Sequence, residues 1–268
     1  MSSASSVPER VAARVEQWFA AEDDGDSVAM FRRVFASIWV VYDVVDLTWG
    51  MTERSRIWFP HDREGGLVAL QIVLVVSGVL VALGRSIWIF GMATAAARAV
   101  EAFYYFSLND FFFASVVYLI LAHSVGGPFQ SGRRPRWVRD ALLAQLGWIY
   151  VMTGILKLNP DWLDGGQLFV RSQYLWTSQS WPYPAFLEKA LSSVAVDARL
   201  SQLGALGEIS LGIVLFARRP YWLAAALVVG IHGFGALVTN VWFFSASMAT
   251  AVLLLLPRSR ARTAVRRT

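Results

Sequence analysis

The chain has 268 residues, 56% of them hydrophobic, with twelve tryptophans, no cysteine and a formal net charge of +5. A soluble domain averages roughly 45–50% apolar residues, so this composition points away from one and towards a membrane protein. Without thiols there can be no disulfide, thiolate metal site or dithiol redox couple, and the positive charge is no nucleic-acid signature because its residues sort by loop.

Residues 1–25 read as a tail followed by an amphipathic helix. From Pro8 to Glu22 the apolar Val11, Val15, Trp18 and Phe19 share one helical face, with Arg10, Arg14 and Glu16 elsewhere. Such a helix lies in a membrane interface or packs on its own protein, and both readings stand. No charged-then-apolar leader precedes it, so the first spanning helix is expected to direct insertion. Asp23-Asp24-Gly25-Asp26-Ser27 ends this helix and offers a cap for the next. It lacks the downstream glutamate of a calcium loop.

Residues 26–257 read as one all-α polytopic bundle. Eight stretches are expected to span, at 31–49, 66–84, 86–106, 110–126, 141–158, 201–217, 221–240 and 241–257. About 18 apolar residues suffice to cross a hydrocarbon core of roughly 30 Å. The short connections at Asn109-Asp110 and Thr239-Asn240 make seven spans the competing count. With a cytoplasmic N-terminus, sixteen basic residues fall inside and six outside, leaving Arg98 and Lys157 within the bilayer. The positive-inside rule then favours eight spans with both termini in the cytoplasm, including a basic tail at 258–268. It places residues 159–200 on the outer face. That segment carries Trp162, Phe169, Tyr174, Trp176, Trp181, Tyr183 and Phe186. It reads either as an aromatic belt or as a lid or substrate cradle.

Charges inside spans are costly and turn towards the bundle interior. Asp43 and Asp46, three apart, are expected to face inward together. Arg98 and Glu101 are spaced to pair on one helix face. Glu208 and His232 are each the only ionisable group of their predicted spans; Glu208 is a candidate anchor for Arg98 or Lys157, and His232 a hydrogen-bonded packing residue or a catalyst. The three histidines, His61, His123 and His232, share no metal-ligand spacing, so no metal is predicted. No G-x-S-x-G elbow and no phosphate-binding glycine loop occurs.

The stretch Gly147–Gly166, GWIYVMTGILKLNPDWLDGG, concentrates the remaining signal. The chain has two lysines against twenty-two arginines, and Lys157 is one of the two. A helix-end lysine snorkelling to the headgroups is one reading. The other starts from Tyr150-x-x-x-Gly154-x-x-Lys157-Leu158-x-x-Asp161-Trp162-x-x-Gly165, which resembles the signature of the membrane domain of vitamin K-dependent gamma-carboxylases, also called the horizontally transferred transmembrane (HTTM) domain. Met30-Phe31-Arg32-Arg33, Gly207-Glu208-Ile209-Ser210 and His232 followed by Phe243-Phe244 resemble it more loosely.

The resemblance covers residues 26–257 and implies that Lys157 is a base that deprotonates a reduced naphthoquinone, as in vitamin K hydroquinone. In an apolar cavity desolvation disfavours an ammonium, which suits a lysine to that role. His232 and Glu208 would orient it or share its proton. Asn109, Asp110, Asp161, Trp162, Gly165 and Gly166 would line the substrate side. The chain departs from the carboxylases in ending eleven residues after Pro257, before their large lumenal region, and in having Asn109-Asp110 where they have Asn-His. Glutamate carboxylation is therefore doubtful.

The reading is a protein of a bacterial inner membrane, working in the lipid bilayer from its outer face, with no nucleic-acid partner. The first function is a quinol-linked oxygenase or carboxylase-type enzyme. The alternative is a non-enzymatic factor for maturation of, or immunity to, a secreted peptide, like the sporulation-delaying-protein B group. A small-solute transporter is less favoured, since no repeat halves or broken helix pair is present.

Overall fold

Long apolar runs satisfy their backbone N–H and C=O groups within the run when they are helical. The computed structural model describes residues 26–45, 47–48, 64–105, 108–125, 136–179, 189–218, 220–239 and 242–256, with isolated positions at 7, 11, 13, 14 and 17. Among the described residues there is helix and no strand. The helices are α1 (Asp26–Val45), α2 (Glu64–Ala82), α3 (Ile87–Tyr105), α4 (Leu108–Val125) and α5 (Arg136–Leu156). After these come the single turn α6 (Pro160–Leu163), α7 (Gly166–Gln179), α8 (Val194–Ala217), α9 (Tyr221–Thr239) and α10 (Trp242–Leu255).

Each of the eight apolar stretches is thus helical. Two of them, α8 and α9, are long and apolar enough to cross a membrane. Shorter apolar helices occupy Val68–Ala82, Phe111–Ser124 and Phe244–Leu255. The amphipathic helix expected at Pro8–Glu22 lies outside the described residues apart from the isolated positions, as do the tail from Pro257, Asp46 and the aromatic run at Trp181, Tyr183 and Phe186.

Eight of the helices, all but α6 and α7, close a ring in chain order: each of α1 to α4 packs on its successor, α5 on α8, α8 on α9, α9 on α10, and α10 returns to α1. Phe31, Phe35 and Trp39 of α1 meet Phe113 and Tyr118 of α4 in the centre, alongside Leu142 and Leu146 of α5 and Leu211 of α8. The ring of Phe35 meets Phe113 edge-on at 5.9 Å between centroids.

Large apolar side chains lie on the outside of the bundle, and several charged ones lie inside it. Leu203, Leu206 and Ile213 of α8, Trp222 and Val229 of α9, and Phe103 of α3 are exposed. Arg98, Asp43, Glu101, Asp197, Glu208 and His232 are buried. Arg98 lies between two carboxylates, 2.6 Å from Asp43 and 2.5 Å from Glu101. Gln71 of α2 donates to Glu101 at 3.1 Å, and Trp39 covers the guanidinium at 4.4 Å. The expected Arg98–Glu101 pair is present, and Asp43 joins it from α1.

Two differences from the sequence reading concern α8. It begins at Val194, about two turns before residue 201, because Ser193 stands extended at its N-cap. Glu208 is therefore not alone among ionisable groups on its helix: Asp197 and Arg199 precede it. The described part of 159–200 accordingly includes α6, α7 and the first turns of α8.

Candidate functional site

The site forms where α5 ends against α8. A side chain at Gly212 would place its Cβ 2.6 Å from the carbonyl oxygen of Gly147 and 2.8 Å from the nitrogen of Val151. At Gly154 it would come within 2.9 Å of the Ala205 oxygen. Glycine here lets the two backbones touch, as small residues do between membrane helices. At the opposite end of the pair, Asp140 of α5 accepts from Arg218 at 3.1 Å. Lys157, the first residue past α5, is thus held beside α8.

There its Nζ donates to Oε1 of Glu208. Lys157 keeps 27% of its side chain exposed, whereas Glu208 keeps 10%. Oε2 of Glu208 is buried with no hydrogen-bond partner. Two turns earlier on α5, the hydroxyl of Tyr150 lies 2.7 Å from Nε2 of His232 on α9. Phe244 of α10 packs against the same imidazole at 6.0 Å. Tyr150 and Lys157 thus stand two turns apart along α5 and its exit, one paired with His232 of α9 and the other with Glu208 of α8.

The residues after Lys157 build its cover. Asn159 Nδ2 closes α5 by donating to Leu156 O at 2.7 Å, and its Oδ1 caps α6 by accepting from Trp162 N at 3.0 Å. Pro160 occupies the first position of α6, where its missing N–H costs nothing. This turn carries the Trp162 ring to 4.9 Å from Lys157 Nζ, within cation–π range. Its Nε1 donates to Ser201 O at 3.3 Å. The chain then reverses at Gly165, with φ of +85°, and an ideal Cβ there would lie 2.3 Å from Ala198 N. Only glycine permits both the dihedral and the contact.

Of the expected site residues, Lys157, Glu208, Trp162 and Gly165 come together, and His232 joins through Tyr150. Asp161 is exposed on the far side of α6 and Gly166 begins α7, with only Asp164 Oδ1 and Asp161 O near its Cβ position. Asn109 and Asp110 lie in the first turn of α4, but their side chains, like that of Phe243, fall outside the described residues. Sequence reasoning assigned no role to Tyr150, although it stood in the motif. It also missed Asp197 and Ser201, whose spacing to Glu208 is the signal that could have found them.

Compared with family models, curated proteins and solved structures, the chain matches none.

Proposed function

We propose that the chain is a polytopic protein of a bacterial inner membrane, with eight spans and cytoplasmic termini, whose Lys157–Glu208 pair is a proton-exchange centre. The reading follows the resemblance to the membrane domain of the gamma-carboxylases. The observation that carries it is the pairing of Lys157 with the buried Glu208, two turns along α5 from the Tyr150–His232 pair. Exposed large apolar side chains, with charged groups turned inside the bundle, suit lipid as solvent.

Lys157 can accept a proton only after passing its own to Glu208, whose carboxylate is already its hydrogen-bond partner. The transfer converts an ion pair into a neutral pair, a change that a water-poor site tolerates because neither form leaves an uncompensated charge. Arginine could not make it, being always charged.

The residues fit a ligand that brings its own hydroxyl. Oε2 of Glu208 is an unused buried acceptor, and the partly exposed ammonium of Lys157 lies on the Oε1 side. A reduced naphthoquinone has such hydroxyls, and when bound it would supply the electrons for chemistry with oxygen. Glu208 and Lys157 would hold its hydroxyl, Trp162 would shield the amine from water, and Tyr150–His232 would fix the far wall. The test is epoxide formation from a reduced naphthoquinone and oxygen by the protein in nanodiscs. Epoxide above the protein-free rate supports the reading; none from folded protein overturns the oxygenation.

The second reading is a non-enzymatic factor that holds a secreted peptide. The ion pair favours it to this extent: a lysine already matched by one carboxylate makes a sufficient tie between α5 and α8. In that case Lys157→Arg preserves function.

A further inference from the structure

The buried face of α8 carries more than Glu208. Asp197, Ser201, Ala205, Glu208 and Leu211 succeed one another along it at steps of three or four, the spacing that stacks side chains on one side of a helix. Asp197 is 0% exposed and Ser201 2%. Neither oxygen of Asp197 has a hydrogen-bond partner, nor does the hydroxyl of Ser201, nor Oε2 of Glu208. Four unused polar atoms on one face of one helix is an unusual arrangement, because buried polar groups are nearly always bonded. An unpaired carboxylate is among the costliest groups to bury. Asp197 stands in the first turn of α8, where the helix dipole favours a carboxylate, and the turn at Gly165 packs against the backbone of Asp197 and Ala198.

The groups are also placed in series with the ion pair. A helix rises about 1.5 Å per residue, so Asp197 and Ser201 are about 6 Å apart along the axis, and Ser201 and Glu208 about 10 Å. Side chains on a helix lean towards its N-terminus, which brings the Glu208 carboxyl towards Ser201 and narrows that second gap. Trp162 bridges the same interval, its Nε1 on the Ser201 carbonyl and its ring against Lys157 Nζ. Gln202 donates to Leu163 O at 3.1 Å, tying α6 over the track. The line runs from the centre of the site to the first turn of α8.

We infer that Asp197 and Ser201 are a proton-transfer track through which the Lys157–Glu208 pair discharges at the N-terminal end of α8. This rests on the reading of that pair as a proton-exchange centre. In one cycle the Lys157 ammonium first passes a proton to the Glu208 carboxylate, and the neutral Nζ then takes the proton of a ligand hydroxyl, leaving its oxygen anionic beside the Glu208 acid. The resulting acid gives its proton, through water and the Ser201 hydroxyl, which accepts one hydrogen and donates its own, to the Asp197 carboxylate. Asp197 then gives it to water entering at the first turn of α8. No electron moves, and the net result is ligand anion plus one proton outside. Carboxyl chains of this kind mark proton relays in membrane proteins.

The experiment uses the full chain in nanodiscs with a reduced naphthoquinone as probe, comparing wild type, Asp197→Asn, Asp197→Glu and Ser201→Ala. First-turnover and steady-state rates are measured, along with difference infrared spectra of the carboxyl C=O region on probe addition. The track predicts that Asp197→Asn lowers kcat at least tenfold with KM and the first turnover unchanged. Asp197→Glu recovers most of the rate, and Ser201→Ala, which changes little volume, falls between. A carboxyl band should respond to the probe in wild type, shift in Asp197→Glu and vanish in Asp197→Asn. Should Asp197→Asn fail to fold, Ser201→Ala and Asp197→Glu carry the same comparison. No turnover and no proton uptake in folded wild type overturns the reading of the pair, and the track with it. Wild-type turnover matched by both Asp197→Asn and Ser201→Ala, with no carboxyl band assigned to Asp197, overturns the track alone.

Discussion

Tyr150 and His232, eighty-two residues apart in the chain, share a 2.7 Å contact between the phenol oxygen and Nε2, with both side chains buried. The bond ties α5 to α9, two turns along α5 from the Lys157–Glu208 pair. Tyr150→Phe keeps the ring and removes the hydroxyl. It should cost about 1 kcal/mol, with a similar coupling energy to His232→Gln in a double-mutant cycle read by chemical unfolding. Strictly additive losses would show that the two side chains are not bonded.

The Asp43–Arg98–Glu101 cluster predicts a large stability effect. Arg98→Ala leaves two buried carboxylates facing each other and should cost about 3–5 kcal/mol. Arg98→Lys should recover only part of this, since one ammonium cannot present two separate nitrogens to two carboxylates. Unfolding in mixed micelles measures both; equal stability of Lys and Arg would contradict the forked geometry.

Two glycines separate close approach from mere composition. Gly165→Ala puts a methyl 2.3 Å from Ala198 N at a φ of +85°, and neither backbone can step aside. A loss of about 2 kcal/mol or more is expected. Gly204, on α8, has nothing within 4 Å of its Cβ position, so Gly204→Ala should leave the melting temperature unchanged or slightly raised. Thermal melts followed by tryptophan fluorescence decide it.

The positions of the helices were legible because apolar runs and their charged borders report directly on burial. The motif after α5 was legible for a local reason: Asn159, Pro160 and Gly165 cap, start and reverse a turn within a few residues. The start of α8 was not, because Val194-Ala195-Val196 is followed by Asp197 and Arg199, which read as the edge of an apolar run. The helix continues through them because Asp197 is buried by tertiary packing. Nor could the sequence say which acid Lys157 meets. That depends on the glycine contacts of α5 with α8, which draw Glu208 close while Asp43 and Glu101 are engaged by Arg98.

The central claim is that Lys157 exchanges a proton and does more than tie two helices, and Lys157→Arg tests it most directly. Arginine keeps the charge and the capacity to bond Glu208, so the variant should melt close to wild type. Epoxide formation from a reduced naphthoquinone in nanodiscs is then followed in wild type, Lys157→Arg and Lys157→Ala. The account predicts epoxide in wild type alone, with Lys157→Arg folded and inactive. A Lys157→Arg protein that turns over at the wild-type rate would contradict it, and would leave Lys157 as a tie between α5 and α8.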